Sequence, residues 1–242
     1  MTTSVIIATY NRARLLDECL AHLARQQFEP GDEIIVVNNG SSDDTADVIA
    51  WHRQKSPVRL VALDEECPGK SRALTRALAV AAGDILAFTD DDINVESRWL
   101  EGIRSAMADD TVALVGGRVA PQWEQSPPRW LRLATARSSR MRSPLALVDY
   151  GAEPAALGSR TAPGGNLAIR RAALARIGGF AAHLGKLRGT LRSGEDHDLC
   201  QRCVAAGLEA VYWPAARVTH WVPADRMRIQ YFLRWFFWSG IT

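Results

Sequence analysis

The chain has 242 residues, 47% of them hydrophobic, which supplies a sizeable core and excludes global disorder. Its 29 Lys+Arg against 27 Asp+Glu leave a formal charge of +2, without the basic excess of a dedicated nucleic-acid binder. Four scattered cysteines exclude a disulfide scaffold, and no apolar run reaches transmembrane length. No basic leader precedes the first apolar run, so the expected compartment is the cytoplasm.

Along the chain, short apolar or β-branched runs at 5–8, 33–37, 58–63, 85–88 and 112–115 read as strands. Helical periodicity runs between them over 13–27, 44–55, 70–82 and 97–107. Strands without polar alternation, separated by helices, predict an α/β fold with a mainly parallel sheet covered on both faces. Such sheets bind ligands in the loops beyond the carboxyl ends of their strands. Those loops hold Thr9-Tyr10-Asn11-Arg12, then residues 38–45, then Cys67-Pro68-Gly69-Lys70-Ser71, then Thr89-Asp90-Asp91-Asp92. Turn and N-cap duty accounts for Asp43 and Ser71, but not for three adjacent carboxylates ending a buried strand.

From about 117 to 165 the alternation lapses. Six prolines fall there with an arginine series, Arg129, Arg132, Arg137, Arg140 and Arg142, and no acid stands between Glu124 and Asp149. Regular elements resume at 166–169, 171–177, 195–206 and 210–213. The expected organisation is one unit over 1–223, with a nucleotide-binding half at 1–116 and a second half at 117–223. A final segment, 224–242, mixes Arg226, Arg228 and Arg234 with bulky aromatics and reads as an amphipathic helix.

Three like charges side by side repel, and a buried strand end makes the repulsion costlier. A hard divalent ion, Mn2+ or Mg2+, relieves it through carboxylate oxygens and keeps substrate phosphates as further ligands. Asp90 and Asp92 can point to one side of an extended segment; a solvated acidic turn is the plain alternative. Lys70 follows Gly69 at a predicted helix start, where backbone N–H groups and the helix dipole favour anions, and Arg72 is close by. The stretch is not a Walker A loop, because the preceding glycine spacing is absent.

A second acidic pair, Glu195-Asp196, opens a helix after a glycine-rich basic stretch at 185–194 that reads as a mobile loop. A general base needs one carboxylate within reach of an acceptor hydroxyl; Asp196 is the first choice and Glu195 the second. His220 is either a metal or phosphate ligand or a lone histidine without such duty. Cys200 and Cys203 share a helix face, and their spacing reads as packing rather than redox or zinc chemistry.

Seven stretches, in order, resemble the motifs of family 2 glycosyltransferases: SVIIATYNR at 4–12, VNNGSSDDT at 37–45, GKSRAL at 69–74, GDILAFTDDD at 83–92, PGGNLAIRR at 163–171, IGGF at 177–180 and GEDHDL at 194–199. The resemblance implies a GT-A fold, Rossmann-like, with donor and acceptor halves fused. It also implies inverting, single-displacement transfer from a nucleoside-diphosphate sugar. On the donor it would place Thr9, Tyr10, Arg12, Asn39, Gly69, Lys70, Arg72, Asp90 and Asp91, with Tyr10 against the base and Asn39 at its edge. Asp90 and Asp92 would hold the metal with His220, and Asp196 would take the acceptor proton.

This chain departs from the family pattern at Asn38-Asn39, where two aspartates are usual. Asn39 accepts a hydrogen bond without charge, so UDP, dTDP and GDP donors all stay open. Thr75 also replaces a common asparagine. The expected acceptor is a glycan or lipid-linked glycan. The arginine series either meets an anionic acceptor or lies solvated along apolar surface. The segment 224–242 either rests in a membrane interface, as a peripheral contact on the cytoplasmic face, or packs onto the core. Two other classes compete. A sugar-nucleotide nucleotidyltransferase would carry a Gly-rich basic loop near the first strand, and a non-catalytic nucleotide- or glycan-binding module would not need both acidic groups.

Overall fold

The computed structural model describes residues 1–181, 183–187 and 190–240. Arg188 and Gly189 of the expected loop, and the last two residues of the C-terminal segment, lie outside the described residues. The first half alternates as the apolar runs require: β1 (Thr3–Thr9), α1 (Ala13–Leu23), β2 (Glu33–Asn38), α2 (Thr45–Lys55), β3 (Arg59–Asp64), α3 (Lys70–Leu78) and β4 (Ile85–Asp90). These strands pair in parallel in the order β3-β2-β1-β4. β2 is buried at every position and β1 at all but one, so neither shows polar alternation.

Helix α1 stops at Leu23, short of the expected 27, because Gln26 turns inward. The Gln26 amide donates to the Glu96 carbonyl at 2.8 Å and accepts from the Leu100 N–H at 3.1 Å. Helix α3 stops at Leu78 rather than at 82, where the Glu33 carboxylate accepts the Ala82 N–H at 2.7 Å. Both apolar patterns run on past the helix because the chain stays against the core while it turns.

The second half adds β5 (Ile93–Val95), α4 (Trp99–Ala106), β6 (Val112–Trp123), α5 (Arg129–Arg137), α6 (Ser139–Arg142), β7 (Ala155–Ala156), β8 (Leu167–Arg170), α7 (Arg171–Ile177), α8 (Glu195–Ala205), β9 (Glu209–Val222) and α9 (Ile229–Ser239). The sheet continues β4-β8-β6-β9-β5, with β7 also on β9. β8 runs antiparallel to both β4 and β6, so β6 and β9 end at the same edge of the sheet as β1–β4. β5, from the nucleotide-binding half, pairs with β9 from the other. One sheet therefore threads both halves.

β6 and β9 are far longer than the short runs expected at 112–115 and 210–213. Pro214 hides the length of β9. It sits where the register jumps from Gly117↔Trp213 to Arg118↔Arg217, leaving 214–216 as an unpaired bulge that tolerates proline. Buried Asn166 clamps that bulge. Its amide donates to the Ala216 and Arg118 carbonyls at 2.9 and 3.0 Å and accepts from the Trp99 indole at 2.8 Å. Gly117 is a close-approach glycine, since a Cβ there would lie 1.9 Å from the Ala216 oxygen.

The C-terminal segment is not one helix from 224. A 3-10 turn (Ala224–Met227) is followed by extended Arg228, and the α-helix begins at Ile229. Phe232 is buried against Trp130, ring centroids 5.3 Å apart, and the Tyr231 hydroxyl donates to the Pro144 carbonyl at 3.1 Å. Among the described residues, no helix is long and apolar enough to cross a membrane.

Candidate active site

The strand-end loops of the first half open onto one cavity of about 500 Å3, lined by Thr9, Tyr10, Arg12, Asn39, Gly69, Lys70 and the three aspartates. Lys186, Leu187 and Thr190 close its other side. That volume suits a small-molecule site. The first two loops are stitched together by Asn11, whose φ of 50° turns the chain. Its side-chain oxygen accepts the Ser42 N–H at 2.7 Å, and its own N–H donates to Ser41 Oγ at 3.0 Å. The stitch leaves Tyr10 at the cavity mouth, 38% exposed. Asp43 accepts the Ala13 and Thr45 N–H groups, so it caps the starts of α1 and α2 together.

Each aspartate of the triplet has cationic company. Lys70 Nζ is 2.5 Å from Asp90. Arg12 bridges Asp91 and Asp92 at 2.8 and 2.7 Å, and Thr9 Oγ1 donates to Asp91 at 2.8 Å. His220 Nε2 and Arg226 Nη2 stand 3.4 and 3.6 Å from Asp92 Oδ2. Burial works against ionisation of all three carboxyls. Lys70 nevertheless holds Asp90 below its ordinary range, and His220 with Arg12 holds Asp92 well below it. At Asp91 burial prevails over Arg12, and the carboxyl is raised.

Asp90 and Asp92 were expected to share a metal with His220. The structure gives them different neighbours: Asp90 is engaged by Lys70, while Asp92 meets His220. His220 Nδ1 donates to the Leu145 carbonyl at 2.7 Å, which orients the ring with Nε2 toward Asp92. Carboxylate oxygen beside imidazole nitrogen is a donor set that fits a divalent cation. The guanidinium of Arg226, its Nη1 3.4 Å from that Nε2, stands where such a charge is called for. Among the described residues, no three His, Cys, Asp or Glu side chains converge into a closed cage.

The second acidic group stands at the first turn of α8. Asp196 Oδ2 accepts the Gly164 N–H at 2.9 Å, and Oδ1 accepts the His197 N–H at 2.8 Å. Glu195 is buried, with Oε1 3.7 Å from Lys70 Nζ and Oε2 without a partner among the described residues. Burial, then the neighbouring Asp196, pushes the Glu195 carboxyl up, against the pull of Lys70. Gly164 and Gly165 let the two acidic groups approach. A Cβ at Gly164 would lie 3.5 Å from Lys70 Nζ, and one at Gly165 would lie 3.2 Å from Asp90 Oδ2.

The structure places three of the expected residues in surroundings that the sequence did not show. Asn39 lines the cavity, and its amide also holds the next loop: it donates to the Glu65 and Cys67 carbonyls at 2.8 Å each and accepts the Gly69 N–H at 2.9 Å. It braces the loop before α3 from the cavity wall. The start of α3 is covered as well, since the Lys70 N–H donates to the Lys186 carbonyl at 3.1 Å and Ser71 Oγ to that of Leu184 at 2.8 Å. Ser71 is therefore a loop anchor and not a helix cap. Arg72 is exposed outside the cavity, because Ser71, Ala73, Leu74 and Ala77 form the buried face of α3.

Lys186, Thr190, Arg226 and the Gly164-Gly165 pair were not singled out from the sequence. Lys186 and Thr190 lay in a stretch read as a mobile loop, and Arg226 in one read as an amphipathic segment of arginines and aromatics. Cys200 and Cys203 are free and buried on α8, in keeping with packing.

The mainly parallel sheet with an acidic strand end is the GT-A fold. The family model described as Glycosyl transferase family 2 matches residues 4–178, and the chain belongs to that family. It is 30% identical over 230 residues to the pre-mycofactocin glycosyltransferase of Mycobacterium tuberculosis, covering 90% of this chain and 42% of that protein. With the glucosyl-dolichyl phosphate glucuronosyltransferase of Haloferax volcanii it shares 24% identity over 261 residues, covering 100% of this chain and 76% of that one. A mannosyltransferase from Pyrobaculum calidifontis, solved with GDP-Man and Mn2+, matches with a TM-score of 0.68 at 23% identity, over 99% of this chain and 64% of that one.

Proposed function

We propose that the protein is an inverting glycosyltransferase that moves a sugar from a nucleoside-diphosphate sugar to an acceptor hydroxyl with the help of Mn2+ or Mg2+. One observation carries this reading. The acidic triplet and the acid at α8 are brought together through Lys70 and Gly164, with 2.5 Å from Lys70 to Asp90 and 2.9 Å from the Gly164 N–H to Asp196. A metal-and-diphosphate site and a proton acceptor are the two groups that a single displacement needs.

In this reading Tyr10, at the mouth, lies against the nucleotide base. Asp92 and His220, with Asp90, hold the cation, which when bound supplies charge stabilisation to the leaving diphosphate. Lys70, Lys186 and Arg226 place further positive charge on the same group. Asp196, its carboxylate aimed by two backbone N–H groups, takes the proton of the attacking hydroxyl. Attack from the face opposite the diphosphate inverts the anomeric carbon. Glu195, its carboxyl pushed up by burial and by the neighbouring Asp196, faces Lys70 and positions it rather than touching substrate.

The acceptor is read as a glycan or lipid-linked glycan, reached from the cytoplasmic membrane face. Support comes from α9, where Ile229, Leu233 and Phe237 are 55, 65 and 65% exposed and Arg228 and Arg234 flank them. The similarity to a glucosyl-dolichyl phosphate glucuronosyltransferase supports the same reading. The test is a thermal-shift panel of UDP-, dTDP- and GDP-sugars with and without Mn2+. Stabilisation by one donor, dependent on metal, is the expected result. A melting temperature that no sugar nucleotide moves would overturn the reading.

A further inference from the structure

A second cavity, of about 300 Å3, opens along the carboxyl-terminal half of β6 and shares no lining residue with the first. Three elements each bring one guanidinium to it: Arg118 from β6, Arg132 from α5 and Arg142 from α6. The other arginines of the series, Arg129, Arg137 and Arg140, lie outside it, while Arg132 reaches the wall from the exposed side of α5. The single acid on the wall is Asp149, so the cavity carries a net of two positive charges.

The four groups are not equally satisfied. Arg118 Nη2 pairs with Asp149 Oδ2 at 2.7 Å. Arg142 Nη1 donates to the Asp149 carbonyl at 2.9 Å, but Arg142 Nε is buried without a partner among the described residues. The Arg132 guanidinium has no hydrogen-bond or ionic partner among them either. Like charges gathered in a cavity repel, and a buried donor without an acceptor is unfavourable. An anion cures both defects, and forked guanidinium donors match the oxygens of phosphate. Two uncompensated positive charges equal the charge of a phosphate monoester.

We propose that this cavity binds a phosphate group, with Arg132 and Arg142 as its donors and the Arg118–Asp149 pair as their support. The remaining wall, Thr135 apart, is apolar, Pro121, Trp123 and Leu147 among it, and receives the organic part of the ligand. The position is on the acceptor flank. Asp149 leads to Tyr150, whose hydroxyl donates to the Thr161 carbonyl at 3.0 Å, and Thr161 Oγ1 meets His197, next to Asp196. That the phosphate belongs to the acceptor rests on the transferase reading; the binding itself does not.

The test measures binding and not transfer. Inorganic phosphate and hexyl phosphate are titrated by calorimetry into the full chain and into Arg132→Gln, Arg142→Gln and the outlying Arg137→Gln, each checked for an unchanged melting temperature. Loss of one charge-assisted donor weakens phosphate about tenfold or more in the first two variants, with Arg137→Gln binding as the wild type does. Tighter binding of hexyl phosphate assigns the site to a phosphate with an apolar tail, and equal binding assigns it to phosphate alone. No binding by the wild type, or binding that Arg132→Gln and Arg142→Gln leave unchanged, overturns the proposal. Phosphate binding here in a chain that no sugar nucleotide stabilises would keep this site and remove the transferase reading.

Discussion

The replacement of Asn39 by aspartate is the most instructive single change, because it restores the residue usual in the family at a position where this chain departs from it. The swap conserves volume, so cavity terms are absent and only polar terms change. Asn39 is 6% exposed and donates two hydrogen bonds, each 2.8 Å, to the carbonyls of Glu65 and Cys67. Asn39→Asp removes both donors, at about 0.5–1.5 kcal/mol each, and turns a carboxylate oxygen toward two carbonyl oxygens. The Gly69 N–H bond at 2.9 Å survives and is strengthened by charge. The balance is about 2–4 kcal/mol of destabilisation near pH 7.5, or roughly 5–12 °C in Tm for a chain of this size.

The pH dependence carries the sign. An introduced carboxyl facing carbonyls has a raised pKa in the folded state, so its penalty is full above that value and shrinks as the pH falls through it. Protonation also returns one donor. Urea denaturation of both proteins at pH 7.5 and pH 5 therefore gives a smaller difference at pH 5. Equal stability at both pH values would refute the brace and return the Asn39 amide to the ligand.

Four other outcomes follow from the geometry. Asp196→Asn keeps the donor-dependent thermal shift and loses transfer by about 10²–10⁴-fold, as removal of a general base does; unchanged turnover would move the base to Glu195. Lys70→Met strips the counter-charge from Asp90 and Glu195 and costs about 2–4 kcal/mol, less than a fully buried pair because Asp90 is 23% exposed. Asp90 is depressed by Lys70, so that stabilisation is present above the ordinary carboxyl range and lost as the pH falls through the depressed value. A denaturation difference that grew on acidification would contradict the pairing. Gly117→Ala places a Cβ 1.9 Å from the Ala216 oxygen and lowers stability by about 3 kcal/mol or more, and a Tm within a degree of wild type would contradict the close approach. The Leu233→Ser, Phe237→Ser pair leaves Tm unchanged while reducing co-sedimentation with anionic vesicles, and equal recovery of variant and wild type would sink the membrane contact.

The first half was legible because its signals are local. β1, β2 and β4 are buried on both faces, so each shows as an unbroken apolar run, and the loops after them collect the polar residues. Asp90-Asp91-Asp92, Lys70 and Asp196 stood out as adjacent charges at element ends. The second half was harder because its order is made by long-range clamps. Nothing near Pro214 reveals that Asn166 will hold a bulge there, so a 14-residue strand looked like a four-residue one. Arg226 and Lys186 reach the triplet only through the path of the chain, and Gly164-Gly165 matter for what a side chain would strike. The bracing by Asn39 was hidden for the same reason, since its partners lie 26 to 30 residues away.

The Arg226 contact has a consequence for the order in which ligands arrive. Arg12, Lys70 and Arg226 already balance the acidic strand end, so a bare divalent ion has to compete with a guanidinium settled between Asp92 and His220. An ion that enters with a diphosphate brings the anion onto which Arg226 and Lys70 can transfer their charge. On the proposed reading the two ligands would be thermodynamically linked, each raising the affinity for the other by the same factor. Such a protein would stay insensitive to the free cation around it and respond when cation and nucleotide come together.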